Sequence, residues 1–490
     1  MKYIGQDPAV LDNFATAVAN GAISSGDPCI IESAGTVAAV ASSGTGIPTL
    51  GSYTEGTGSL GDGVGVAFDS GQNVHVFSYA NPNNSYYGTL QAFSLSGGSI
   101  TAGTAVVFNT ANTYNPVMAY DENAGKSLVF YKENVDPRHT FARVVTATGT
   151  SLSLGTETTI ESENAYTSTA TYDANAQKIL LIGSLYSNGD IYARVATISG
   201  TSVSVGSRVS WLTGTFYGGN DAAVYLPTSQ KILLVAEDHA TTTAKSAVAT
   251  ISGTSVSFGS TTTISINMYG AIGLAVDSQE NILLVSQDDS ITNDPLYAVG
   301  GSVSGTTVTF GTPVQVNSTT SSWPTVVFDS SSNVFVYFYL RRDGTSSNYD
   351  TYGGTATVSG NVPNIVSNAE VRDGTANHNL ASYDSDQNQA ILFNTVTQPT
   401  NIGFTAFPVT TNALTQNLTA ENFIGFADKG YADGSDAVIQ AKGAVNDKQT
   451  SLTAGQSYFV QTDGTLGTTA DDPSVFAGTA VSATQLIVKG

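Results

Sequence analysis

The chain is poor in the side chains on which most protein chemistry depends. Its 490 residues include one cysteine (Cys29), four histidines (His75, His139, His239, His378) and seven arginines. A single cysteine excludes an intrachain disulfide and a Cys-based metal site. Scarce His and Arg argue against most acid–base, metal-dependent and anion-clamping enzymes, and no metal or cofactor is expected. Only 11% of residues are charged, against about 25% in an ordinary globular domain. The 17 Lys and Arg, scattered over the whole length, do not gather into the cationic face that nucleic acid requires. No run of 18 apolar residues suggests a membrane helix. The opening MKYIGQDPAVLDNFATAVANG lacks a basic n-region, an apolar h-region and a cleavage site, so no secretory signal is expected.

What is present points to a large folded β-protein. Hydrophobic residues make up 41%, with 23 Tyr and 20 Phe, and the 50 Gly stand among many Ser, Thr and Asn. That is enough apolar material for a core despite a net charge of −22 and a pI near 4.2.

Internal repetition controls the reading. A segment ending in Asp recurs as VGVAFDSGQN, VMAYDENAGK, STATYDANAQK, GLAVDSQEN, TVVFDSSSN and LASYDSDQN, placing Asp69, Asp121, Asp173, Asp277, Asp329 and Asp384. AAVYLPTSQK fills the one gap, with Leu226 in the Asp position. Seven units of about 52 residues follow. After each turn comes an apolar, β-branched strand, such as Ile179–Ile182 or Ile232–Val235. A variable loop and a glycine hairpin come next, at Gly98, Gly149, Gly200, Gly253, Gly305 and Gly360. Four strands per unit at this period resemble the blades of a seven-bladed β-propeller.

The expected division is an N-terminal arm and hairpin over 1–60, a propeller over 61–420 and a C-terminal β domain over 421–490. Either the worn last unit or residues near 50–60 closes the ring. Gly26 and Gly35 near the start, and Gly455 and Gly464 near the end, are both nine apart and lead into Gly-Thr-apolar. The two ends therefore read as related hairpins of one small accessory domain. Residues 7–20 carry apolar positions at helical spacing and are expected to form a short helix, a candidate attachment arm.

The stretches LTAENFIG, LTAGQSYFVQTDGTL and AGTAVSATQLIVKG, within 418–490, resemble a module of tail-fibre and other virion proteins of marine, cyanophage-like bacteriophages. The resemblance implies a component of a phage particle, made in the host cytoplasm, displayed on the virion surface in multiple copies, and partnered by capsid, tail or fibre proteins. It also accounts for an outward-facing composition without an export signal.

The turn Asp residues read as turn-openers that bond their own backbone; only Asp384-Ser385-Asp386-Gln387-Asn388 approaches a calcium-loop pattern. An aromatic or imidazole ring precedes each of the last six units, at Tyr114, Tyr166, Tyr217, Tyr269, Trp323 and His378. These rings either stack on sugars or plug the wedges between blades. On the same face lie variable, charged loops: 132–139 with His139, 237–239 with Glu237, 288–294 with Asp288, and 341–343 with Arg341. Variable loops on a repeated scaffold favour recognition. Carboxylates in adjacent blades also admit a glycosidase, but the Trp-containing turns and Arg cluster of sialidase-type propellers are missing. The reading is an all-β propeller with an accessory β domain, a non-enzymatic virion protein whose loops contact a host-surface ligand such as a glycan. The alternatives are pure decoration of the particle and a glycan-degrading virion enzyme.

Overall fold

The strand that follows each turn is buried on both faces. Val74–Asn81 has no half-exposed position, and Lys178–Leu185 has only its first residue at the surface. Such strands read as apolar runs rather than alternations because a neighbour covers each side of the sheet. The computed structural model describes residues 13–489 except 59–62, 215–220, 239–240, 242, 289–292, 343–348, 375, 377, 398–401 and 472, and leaves aside the side chains of 269, 395–397 and 402. Among the described residues, every regular element but the 3-10 turn Pro82–Asn84 is a β-strand.

Seven antiparallel sheets repeat one plan. In the third, Ala165–Asp173 pairs with Lys178–Leu185, that strand with Ile191–Ser199, and the outer position is shared by Ser202–Val205 and Val209–Leu212. The long strands Val106–Asp121 and Thr262–Val276 each run from the outer position of one blade into the inner position of the next. Blades touch through apolar clusters, at least one between each pair. Leu180, Ile182, Leu234 and Val256 join the third to the fourth, and Phe77, Phe93, Phe393 and Phe404 join the first to the seventh. The inner strands meet in sequence, and the last meets the first, so the ring is closed. The fold is a seven-bladed β-propeller.

The outer strand of the seventh blade comes from the start of the chain. Thr49–Leu50 and Thr54–Glu55 pair with Ile402–Thr410, which answers the open question of closure. The compact units are accordingly Thr45–Ala413, and Met1–Gly44 with Leu414–Gly490, not divided at 60/61 and 420/421. The earlier strands belong to the ring because its last sheet lacks an edge without them.

The terminal unit is a duplication. Its first five-stranded sheet has the order Phe14–Val18, Asp436–Gln440, Phe423–Ala427, Pro28–Ile31, Val37–Ala39. Its second runs Val445–Asn446, Leu486–Val488, Val475–Ala480, Ser457–Val460, Leu466–Gly467, the same path. Ile31 faces Val37 as Val460 faces Leu466, and Cys29 faces Gly425 as Tyr458 faces Gly478. Gly26 N–H donates to Ala427 O as Gly455 N–H donates to Ala480 O, at 3.0 and 2.8 Å. Gly425 and Gly478 have positive φ (146° and 157°), and a Cβ on either would lie 2.0 Å from the carbonyl of Gln440 or Ile487, so no other residue fits. In chain order the propeller is inserted into the first copy, between Val37–Ala39 and Phe423–Ala427.

The expected helix over 7–20 is corrected over its described part. Phe14–Val18 is an edge strand paired with Asp436–Gln440, with Ala15 and Ala17 turned inward and Phe14, Thr16 and Val18 outward. Ladder hydrogen bonds and the period of two win over the Phe14/Val18 spacing that mimics a helix. Residues 7–12 lie outside the described residues. Cys29 is fully buried in this unit, where burial pushes its thiol up to about 12, so it serves as packing.

Candidate functional site

One face of the ring is made by the turns between first and second strands, and it is uniform. Asp173 Oδ1 accepts from Asn175 and Ala176 N–H, Asp277 Oδ1 from Gln279 and Asn281, and Asp384 Oδ1 from Asp386 and Gln387, all at 2.8–3.0 Å. These are turn-opening bonds. A second layer was not anticipated from the sequence. The tyrosine just before the next blade's Asp reaches back, so that Tyr120 Oη accepts from Gly71 N–H and Tyr172 Oη from Asn123 N–H. Tyr383 Oη accepts from Ser331 N–H and donates to Asp329 Oδ1. The signal was the YD pair in three of the repeats. Where Leu226 replaces Asp, Glu280 of the next blade takes over, accepting from Ser229 N–H and Oγ at 2.6 Å each.

The opposite face, where blades connect and second strands turn into third, is irregular. Here the central channel opens, with a volume of about 320 Å³ and lining from all seven inner strands, Trp323 and Asp221 among it. Tyr114 and Tyr166 meet edge to face at 6.2 Å, and Tyr186 joins Tyr166 at 6.0 Å. Trp323 lies 4.1 Å from His378. All four residues of the predicted ring series seen here are half-buried, and each touches a neighbouring blade. Tyr217 lies outside the described residues, as does the side chain of Tyr269.

The ring series is not one structural position. Counted back to the turn, its members stand seven, seven, nine, eight, six and six residues away. Bulges at the start of the inner strands absorb the difference, between Tyr114 and Val117, and between Ser322 and Thr325. By register, Trp323 matches Asn115, and both have left-handed backbones, with φ of 49° and 42°. Asn tolerates that conformation; a bulky Trp there is strained by about 1–3 kcal/mol.

The loop residues separate. Glu237 and Asp288 are buried, at 5% and 9% exposure, near the ends of the second strands of blades four and five. Arg341 places its guanidinium 4.6 Å over the ring of Tyr352, and His139 lies 6.2 Å from Phe141. His239, Asp289 and Asp343 are outside the described residues. Two further groups matter: Asp221, which sequence reasoning missed, and Lys132, expected in the exposed loop 132–139 but held in the strand Lys126–Glu133 instead. Burial, opposed by the Ser168 hydroxyl and aided by the negative charge of Glu237, pushes the Asp221 carboxyl up to about 7. Its Oδ2 has no exposed surface, although the residue as a whole is half-buried. Lys132 is 1% exposed, with Nζ 3.5 Å from the Tyr166 ring centroid and 5.6 Å from that of Tyr114. A lysine ending the otherwise apolar run SLVFY was its visible signal.

No protein-family model matches the chain, and no curated protein does. Among solved structures it is similar to the BP39L lectin of Burkholderia pseudomallei, with TM-score 0.54 and 12% identity over 74% of this chain and 98% of that one. It is similar at TM-score 0.41 to AofleA of Arthrobotrys oligospora (8% identity, 73% and 96% covered). The hemagglutinin-neuraminidase ectodomain of parainfluenza virus 5 gives 0.40 (7% identity, 74% and 86% covered). At such identities the first of these speaks for the propeller fold, and the other two carry no argument.

Proposed function

We propose that this chain is a non-enzymatic attachment protein of a bacteriophage particle, and that the channel-mouth face of its propeller binds a host-surface glycan. The observation that carries the reading is Trp323, a bulky, half-exposed ring held at the channel mouth on a left-handed backbone. Half-exposed rings are the surfaces on which sugar faces stack, and a lectin is among the structures of similar fold. The phage origin rests on the C-terminal resemblance, and the terminal unit would fix the protein to other virion components. Low affinity at single sites would be raised by many copies per particle. Binding is favoured over catalysis because the sequence lacks the Trp-containing turns of sialidase-type propellers and its few Arg are scattered along the chain.

The test is adsorption of the purified chain to host cells. Replacing Trp323 and the 132–139 loop should abolish it while the chain stays folded. Unchanged adsorption would leave decoration of the particle as the role. Sugar release from host envelope, lost in Asp221→Asn, would make the protein an enzyme.

A further inference from the structure

Lys132 is the last inward-facing residue of Lys126–Glu133, the second strand of blade two, and is paired across the sheet with Tyr114 and Thr140. Its ammonium lies under the face of Tyr166 from blade three and beside Tyr114. Among the described residues, no carboxylate or hydrogen-bond acceptor pairs with it. Burial and then the positive charge of Arg138 push it down to about 8. Glu133 and Asp136 are close in sequence, but Asp136 pairs with Arg138 at 3.5 Å.

A cation–π contact contributes up to about 2 kcal/mol, less than an ammonium loses by leaving water without an anion. A methionine would fill the same space at no such cost. Among the described residues, the ammonium of Lys132 therefore has rings but no protein carboxylate to offset its burial. The rings around it supply the rest of a subsite: Tyr114 and Tyr166 are half-buried, and Tyr186 beside them is 54% exposed.

We propose that the channel-mouth surface where blades two and three meet takes a carboxylate-bearing sugar, its ring lying against Tyr166 and Tyr186 and its carboxylate reaching Lys132 beneath the Tyr166 ring. This inference rests on the glycan-binding reading and names the ligand class of one subsite within it.

The experiment titrates the full chain with oligosaccharides ending in galacturonate, glucuronate or N-acetylneuraminate, each beside its methyl ester. At least one acid should bind at least tenfold tighter than its ester. Lys132→Met should erase that preference while leaving the unfolding midpoint equal or higher, a result a purely structural lysine would not give. Tyr186→Ala, at an exposed position, should weaken the same acid several-fold. Equal binding of acids and esters, unchanged in Lys132→Met, or host adsorption with no acid bound, overturns this inference alone. Failure to bind any sugar or any host cell overturns the proposed function with it.

Discussion

The two faces of the ring are built from the same seven repeats and have diverged to different degrees. On the turn face six blades use an Asp, three of them add a tyrosine latch from the next blade, and the exception is repaired by Glu280. At the channel mouth the rings differ in identity, register and backbone conformation. Uniformity marks where the repeats must hold one another, and variety marks where the ring is free to be used. The comparison predicts that turn-face substitutions cost stability and spare binding, with the reverse at the mouth.

The largest effect is expected at Asp329. Its carboxylate accepts from Ser331 N–H and Oγ, Ser332 N–H, Tyr383 Oη and, across the chain, Thr411 Oγ1 at 2.6 Å. Asp329→Ala removes the buried acceptor (2% exposed) that these donors share and should lower the stability of the ring by about 3 kcal/mol, read from denaturant unfolding. A loss under about 1 kcal/mol would show that the latches are ornamental. Glu280→Ala, which unmakes the repair in the one blade without Asp, should cost about 2 kcal/mol by the same measurement. Leu226→Asp should then fail to restore it, because Leu226 is fully buried in the apolar cluster with Leu233 and Val248.

A pH comparison sharpens the contrast, because one buried titrating group lies on each side. His75 joins blade one to blade seven, with Nδ1 2.9 Å from Ser382 Oγ and Nε2 3.7 Å from Asp384 Oδ2. Burial, partly offset by Asp384, holds it below its ordinary value. Below about pH 6.5 the unfolded chain therefore binds the extra proton, and stability falls with pH. Asp221 has the opposite sign. Its carboxyl, raised to about 7, is protonated in the folded chain first, and stability rises as pH drops below 7. The two oppose each other as pH falls below neutrality in the parent chain. Asp221→Asn should reveal a loss of stability as pH falls from 7 to 5, and His75→Asn a gain, both read from denaturant unfolding at the two pH values. Parallel profiles in all three proteins would remove both assignments.

Architecture was legible in the sequence because a propeller writes its period into the chain. The turn Asp, the apolar second strand and the hairpin glycine each recur once per blade, and each answers to a local requirement. Contacts between distant segments were not legible in the same way. Closure by Thr49–Glu55 depends on which free edge is near in space, and the helical spacing at Phe14 and Val18 gave no hint of Asp436–Gln440 as a partner. The hairpin glycines 26, 35, 455 and 464 did reveal kinship of the ends, but the full duplication appeared only in the shared strand order. At the site, the rings were found by their spacing, yet that spacing blurred two positions into one series. Bulges shift register without changing composition, so only backbone geometry separates Tyr114 from the place occupied by Trp323. Lys132 was hidden because a charged residue beside a loop reads as exposed.

The smallest stability effect is expected at the position most bound up with function. Asn115 shows what the bulge accepts without strain: a short polar residue at φ 42°. Trp323→Asn borrows that solution, losing the contact with His378 at 4.1 Å and relieving a left-handed tryptophan. Loss and relief are each about 1 kcal/mol, so the unfolding midpoint should stay within error or rise slightly, while adsorption to host cells drops at least tenfold. If instead the substitution destabilises the ring by about 2 kcal/mol or more and leaves adsorption intact, Trp323 is a wedge between blades. The mouth would then be as structural as the turn face, and the division of labour between the two faces would fall.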